Sequence, residues 1–158
     1  MTDHASRSPA VHATTTARAR VTAGERLLAL ITAALLGYDA YVHLHDAAKY
    51  DGFKSSVMTE GTLFRIQAVV AIVVGVLLLL WPRIITWLLS LLVAGSAAVA
   101  VTLYTYVNVG QLGPLPNLYE NTWHQPGKLP SAIAEAAAAL ISLLGLMLAA
   151  RTRRRRRR

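Results

Sequence analysis

Asp39, His43 and Asp46 stand at i, i+4 and i+7, a spacing that puts all three on one face of a helix. Carboxylate and imidazole on a shared face can hold a metal ion or pass a proton. Arg65 and Gln67 open a second apolar stretch, and Glu135 lies about one turn into a fourth. Asp39, His43, Asp46, Arg65, Gln67 and Glu135 therefore form a candidate polar cluster. An ionisable group near the bilayer centre costs a few kcal/mol, so such a cluster needs a reason. One reason is structural: a buried network with Arg65 paired to Asp39 or Glu135. The other is a site, for a metal ion or for a proton-coupled small solute, built from Asp39, His43, Arg65 and Glu135. His43, His45, Glu120 and His124 are the metal-ligand candidates. His43 and His45 are two residues apart, which turns their rings away from each other on a regular helix. No HExxH pattern and no cysteine supports a metal. No cofactor is predicted, and a metal ion remains the alternative.

Catalytic patterns are missing. Ser55, Ser56 and Ser131 lie in no nucleophile elbow. No glycine-rich phosphate loop is present, and no second intramembrane histidine faces His43 to complete a haem site. An enzyme is the less favoured class. The segment Gly110 to Gly127 mixes turn formers with apolar residues. Tyr119, Glu120, Trp123 and His124 in it form a candidate lid or binding loop, and a plain interfacial connector is the competing reading.

The elements that must carry these residues are membrane spans. The chain has 158 residues, 54% apolar and 15% charged, with a mean hydropathy of +0.43. Soluble domains carry roughly 25% charge. The absence of cysteine excludes a disulfide framework, Cys-ligated zinc and thiol-redox chemistry. Four apolar segments follow a disordered polar arm at residues 1–24. The spans cover about 27–47, 62–81, 83–107 and 130–150, each long enough for a hydrocarbon core of roughly 30 Å. A cleaved leader is the rival reading of the first, although no small-residue cleavage site follows Gly37. Pro82 ends the second span and starts the third, because it lacks an N–H and suits a first helical turn. Ala94 to Ala100 on span three supply small residues for close packing, as do Ala132, Ala136 and Ala139 on span four.

The formal net charge is +8, with six of the 16 basic residues in the last six positions. Arg7, Arg18, Arg20 and Arg26, the turn residue Arg83, and Arg151, Arg153, Arg154, Arg155, Arg156, Arg157 and Arg158 fall on one side of a four-span chain. The other side holds Lys49, Lys54 and Lys128. The positive-inside rule then makes both termini cytoplasmic and turns loops 48–61 and 108–129 outward. The Arg tail is a topology anchor that meets anionic lipid headgroups. It has no interleaved aromatics, so no specific nucleic-acid partner is expected.

His43-Leu44-His45, Tyr50-Asp51-Gly52, Gly61-Thr62-Leu63-Phe64-Arg65-Ile66-Gln67, Leu118-Tyr119-Glu120 before Trp123, and Ala134-Glu135 carry a family likeness. Over residues 27–150 the chain resembles small uncharacterised four-span integral membrane proteins of high-GC Gram-positive bacteria. The resemblance implies a four-helix membrane fold and no activity. The expectation is an all-α, integral membrane antiparallel four-helix bundle, multi-pass in a bacterial plasma membrane. Its expected role is that of a structural or accessory component with a membrane-protein partner or a homodimer mate. An outer-leaflet binding site is the alternative.

Overall fold

The computed structural model describes residues 21–155. Most of the polar arm (residues 1–20), and Arg156, Arg157 and Arg158, lie outside the described residues. Helix α1 covers Ala23–Asp46 and tightens into a 3-10 turn at Ala47–Tyr50. Helices α2 (Glu60–Leu80), α3 (Ile84–Tyr106) and α4 (Lys128–Arg155) follow. All four are long and apolar enough to cross a membrane. The protein is a small multi-pass membrane protein with an all-α fold. Among the described residues strand pairing is confined to two isolated bridges, Lys54 with Thr59 and Leu112 with Leu115.

The helix ends have local causes. Thr22 caps α1: its Oγ1 accepts from Glu25 N, while the Glu25 carboxylate accepts from Thr22 N. This reciprocal box starts the helix before the apolar run begins. Thr59 Oγ1 accepts from Thr62 N in the same way at the head of α2. Between α2 and α3, Thr86 Oγ1 accepts from Arg83 N and donates to the Trp81 carbonyl. That ties the turn around Pro82 and sends α3 back antiparallel to α2. Helix α4 runs to Arg155, so Arg151, Arg153 and Arg154 are exposed positions on a helix that outlasts the apolar run.

Each helix packs on its sequence neighbours, and α4 closes the ring onto α1. Contacts fix the antiparallel sense. Late α1 meets early α4 where Ser131 Oγ reaches Asp39. Early α3 meets late α4 where Ser90 and Ser142 hydroxyls bond at 2.7 Å. An up-down bundle of four puts both termini at one end and the two long loops at the other. Leu36, Ala40, Ala68, Ala71, Val74, Ala94 and Ala138 form the central core. Ala29, Leu78 and Trp87 form a second cluster nearer the termini. Gly145 lets the buried Trp87 ring lie against α4, since a Cβ there would sit 2.5 Å from the ring.

The inward face of α4 is Ser131, Ala134, Glu135, Ala138, Ser142 and Gly145. This differs from the face expected from alanine spacing. Ala136 is exposed, and Ala132 and Ala139 are half-buried. Glu135 cannot face lipid, and that sets the rotation of the helix. Large apolar side chains cover the outside, among them Leu30, Val69, Val73, Ile85, Leu92, Val99, Ile133 and Leu140. Apolar surface on every helix is what a lipid-facing bundle presents.

Candidate functional site

The polar residues of α1 and α4 converge near the loop end of the bundle. Asp39 and Glu135 are only 1% and 3% exposed. His43, one turn above Asp39, places Nδ1 3.0 Å from the Asp39 carbonyl oxygen and 3.1 Å from its Oδ1. A carbonyl only accepts, so Nδ1 carries the hydrogen and a neutral ring keeps its lone pair on Nε2. Phe64 from α2 and the imidazole meet in a T-shaped contact, ring centroids 4.9 Å apart. Ser131 Oγ donates to Asp39 Oδ1 at 2.5 Å. One ligand atom each from Asp39, His43 and Glu135 lie within 4.8 Å of one another. This is the one such group of three among the described residues.

The group is not internally satisfied. Asp39 Oδ2 and Glu135 Oε2 are buried with no hydrogen-bond partner, and so is Gln67 Nε2 on the facing helix α2. Thr32 Oγ1 and Trp87 Nε1, elsewhere in the bundle, share that condition. Buried polar atoms are normally paired.

Above the group lies a pocket of about 410 Å³. All four helices line it, and so do Leu118, Glu120 and Pro126 of the α3–α4 loop. His43, Gln67, Ser131 and Glu135 form the polar part of its floor, and Tyr50, Phe64 and Tyr104 give it aromatic walls. Asp46 and Glu60 also line it. The loop is pinned at the mouth. Lys128 Nζ sits 3.1 Å from Glu120 Oε2, donates to the Glu120 carbonyl at 2.7 Å and lies 5.5 Å over the Trp123 ring. Tyr50 OH donates to Glu120 Oε1 at 3.1 Å, and Trp123 Nε1 donates to Tyr106 OH at 3.1 Å. Gly127 makes this closure possible: it has φ +85°, and a Cβ there would come within 2.8 Å of Val42.

The sequence-derived residues separate into two sets. Asp39, His43, Gln67 and Glu135 come together, with Asp46 at the pocket wall, where it is paired to Lys49. Arg65 does not join them. Its guanidinium bonds the two Asp51 oxygens, Nη1 to Oδ1 and Nη2 to Oδ2, each at 2.8 Å, on the exposed surface. The pairing of Arg65 with Asp39 or Glu135 is thus replaced by one with the α1–α2 loop. A long side chain near a helix start extends toward the interface more cheaply than into the bundle. The Arg65 hydrogen bonds hold the Asp51 carboxyl below its ordinary range, against some desolvation and with help from Thr59. The four metal candidates are not gathered either. His45 is exposed and stacked on Tyr41 at 5.8 Å. Glu120 is taken by Lys128 and Tyr50, and His124 is an exposed loop residue beside Thr122. Tyr119 is half-buried in the loop, its N–H donating to Asn117 Oδ1.

Ser131 and Glu60 are among the lining residues that lie outside the expected cluster. Ser131 is i−4 to Glu135, a spacing that could have marked it as part of the same face. Glu60, buried in the first turn of α2, resembles an ordinary helix-start acid in sequence, and nothing in its spacing signals the pocket. Compared with protein-family models, curated proteins and solved structures, this chain shows no match.

Proposed function

We propose that this protein is a bacterial plasma-membrane receptor or carrier for a small solute, with the pocket opening on the outer surface and both termini in the cytoplasm. The solute has an apolar body and a cationic head. One observation carries this reading: a pocket of about 410 Å³ has apolar and aromatic walls and an unequal charge lining. Lys49 is taken by Asp46 and Lys128 by Glu120. Glu60 and Glu135 remain as lining carboxylates with no basic partner in contact. The volume falls in the range of small-molecule sites, and aromatic walls beside carboxylates favour an ammonium group. A purely structural or accessory role gives no reason for a pocket with unpaired acids. The side of the membrane follows from the arginines of both ends and Arg83.

The test is calorimetric titration of the protein in lipid nanodiscs with benzyltrimethylammonium, and with benzoate as the oppositely charged probe. Saturable binding of the cation alone, weakened about tenfold by Glu60→Gln (about 1.4 kcal/mol), is the expected result. Equal binding of benzoate, or no saturable binding of either probe, overturns the reading.

A further inference from the structure

We propose that Asp39, His43 and Glu135 form a site for one divalent first-row metal ion at the floor of the pocket. This inference does not rest on the solute reading: the two share Glu135, which lines the pocket, but the zinc and the ammonium titrations can fail separately. The chemistry of the three residues is that of a metal-binding face: one imidazole and two carboxylates, with ligand atoms within 4.8 Å of one another. Imidazole with carboxylate suits zinc, iron and manganese.

A second observation points the same way. Asp39 Oδ2 and Glu135 Oε2 are both buried and unpartnered, in residues 1% and 3% exposed. On two facing carboxyl groups, such oxygens without an outside donor are satisfied either by one shared proton or by a cation. Charge makes the case stronger. Two carboxylates sit in one buried layer, where, among the described residues, His43 beside Asp39 is the one basic group in contact, and the nearby lysines and arginine are engaged elsewhere. Lys49 holds Asp46, Arg65 holds Asp51 and Lys128 holds Glu120. Buried carboxylates are paired, protonated or coordinated, and a divalent cation neutralises two of them in full.

The surroundings are those of a built site. Nδ1 of His43 is occupied by the Asp39 backbone carbonyl, an outer contact of the kind that orients a ligating ring and frees the other nitrogen. Ser131 fixes the Asp39 carboxylate through Oδ1 and leaves Oδ2 free. His43 and Glu135 also line the pocket. An ion held by three protein ligands there keeps a position open toward the cavity, as ligand-binding and catalytic zinc sites do.

The test uses the full chain purified with a histidine-free tag, stripped with EDTA and kept in nanodiscs. Zinc is titrated calorimetrically, bound metal is counted by mass spectrometry, and cobalt(II) is added to read visible ligand-field bands. One equivalent of zinc, a raised Tm on zinc addition and cobalt bands of a mixed nitrogen–oxygen site are expected. Glu135→Gln and His43→Gln, which keep side-chain size, should each weaken zinc at least 100-fold. Replacing His4, His12, His45 and His124 with alanine should leave the equivalent in place. The proposal is overturned if the wild-type chain binds no stoichiometric zinc and shows no cobalt bands. It is equally overturned if Glu135→Gln, still folded by circular dichroism, binds zinc as the wild type does, or if the four-histidine variant loses it. The wild-type zinc and cobalt readings decide the matter even where a floor variant fails to fold.

Discussion

A carboxylate out of reach of water has to be paired, protonated or coordinated, and a cation has the same need in reverse. Arg65 meets that need outside the bundle. Its bidentate pair with Asp51, 46% and 43% exposed, also gathers Thr59 Oγ1 onto Asp51 Oδ1 at 3.1 Å. This pins the α1–α2 loop to the head of α2. Because Arg65 lowers the Asp51 pKa from its ordinary value of 3.8, the folded state binds that proton less readily than the unfolded chain. The pair's contribution to stability is then present above pH 3.8 and lost as the pH falls through the depressed value. Thermal unfolding in detergent should show Asp51→Asn below the wild type at pH 7, by a small margin suited to a solvent-screened pair. The gap should close in acid below pH 3.8, and a gap that widens there contradicts the pairing. Helical spacing makes Asp39, His43 and Asp46 legible as one face from the sequence alone. It did not reveal the partner of Arg65. Spacing fixes the face a residue occupies and says nothing about which loop a flexible guanidinium reaches.

Helix interiors were easier to foresee than helix ends. Mean hydropathy over a span is set by many side chains, so four segments stood out. An end is set by one or two hydrogen bonds. Helix α1 starts at Ala23, inside the expected polar arm, because Thr22 and Glu25 cap it. Thr22→Ala should cost about 0.5–2 kcal/mol, seen as a lower Tm with the bundle otherwise intact. An unchanged Tm would show that the box is idle. Arginine and alanine are good helix formers, which is why α4 runs through Arg155 although its apolar run stops earlier. The close approach at Gly61 was not legible in the sequence. Gly61 of α2 lies against the Ala47 carbonyl and the Asp51 carboxylate, and neither leaves room for a Cβ. Gly61→Ala should push α2 away from the end of α1. The expected loss is about 1–3 kcal/mol of stability, measured by chemical unfolding in detergent, and wild-type stability would mean the two elements are not in contact. Gly75, where an added Cβ would come no closer than 3.7 Å to Ala33, is the internal control: alanine there should be tolerated.

The bundle divides along its axis as well as around it. One end carries the termini, Arg83 and a helix ending in arginines. The other carries the pocket, its acids and two lysines already committed to carboxylates. Around the axis, large apolar side chains point outward on every helix, as a lipid-facing surface requires. This axial asymmetry makes orientation a functional question, because it decides which compartment can fill the pocket. Twelve arginines in the sequence segments up to the first turn of α1, between α2 and α3 and at the end of α4, against three lysines and the paired Arg65 in the other segments, predict that the pocket faces outward. The chain has no cysteine, so a single introduced thiol reports its own position. Ser56 is exposed in the α1–α2 loop, and Thr152 lies in the last turns of α4. A membrane-impermeant maleimide should label Ser56→Cys in intact cells and reach Thr152→Cys only after the membrane is opened. The reverse pattern would turn Glu60, Glu135 and the floor beneath them toward the cytoplasm. The ligand would then have to be sought among intracellular solutes, since the charge bias of the termini would have failed to set the direction of insertion.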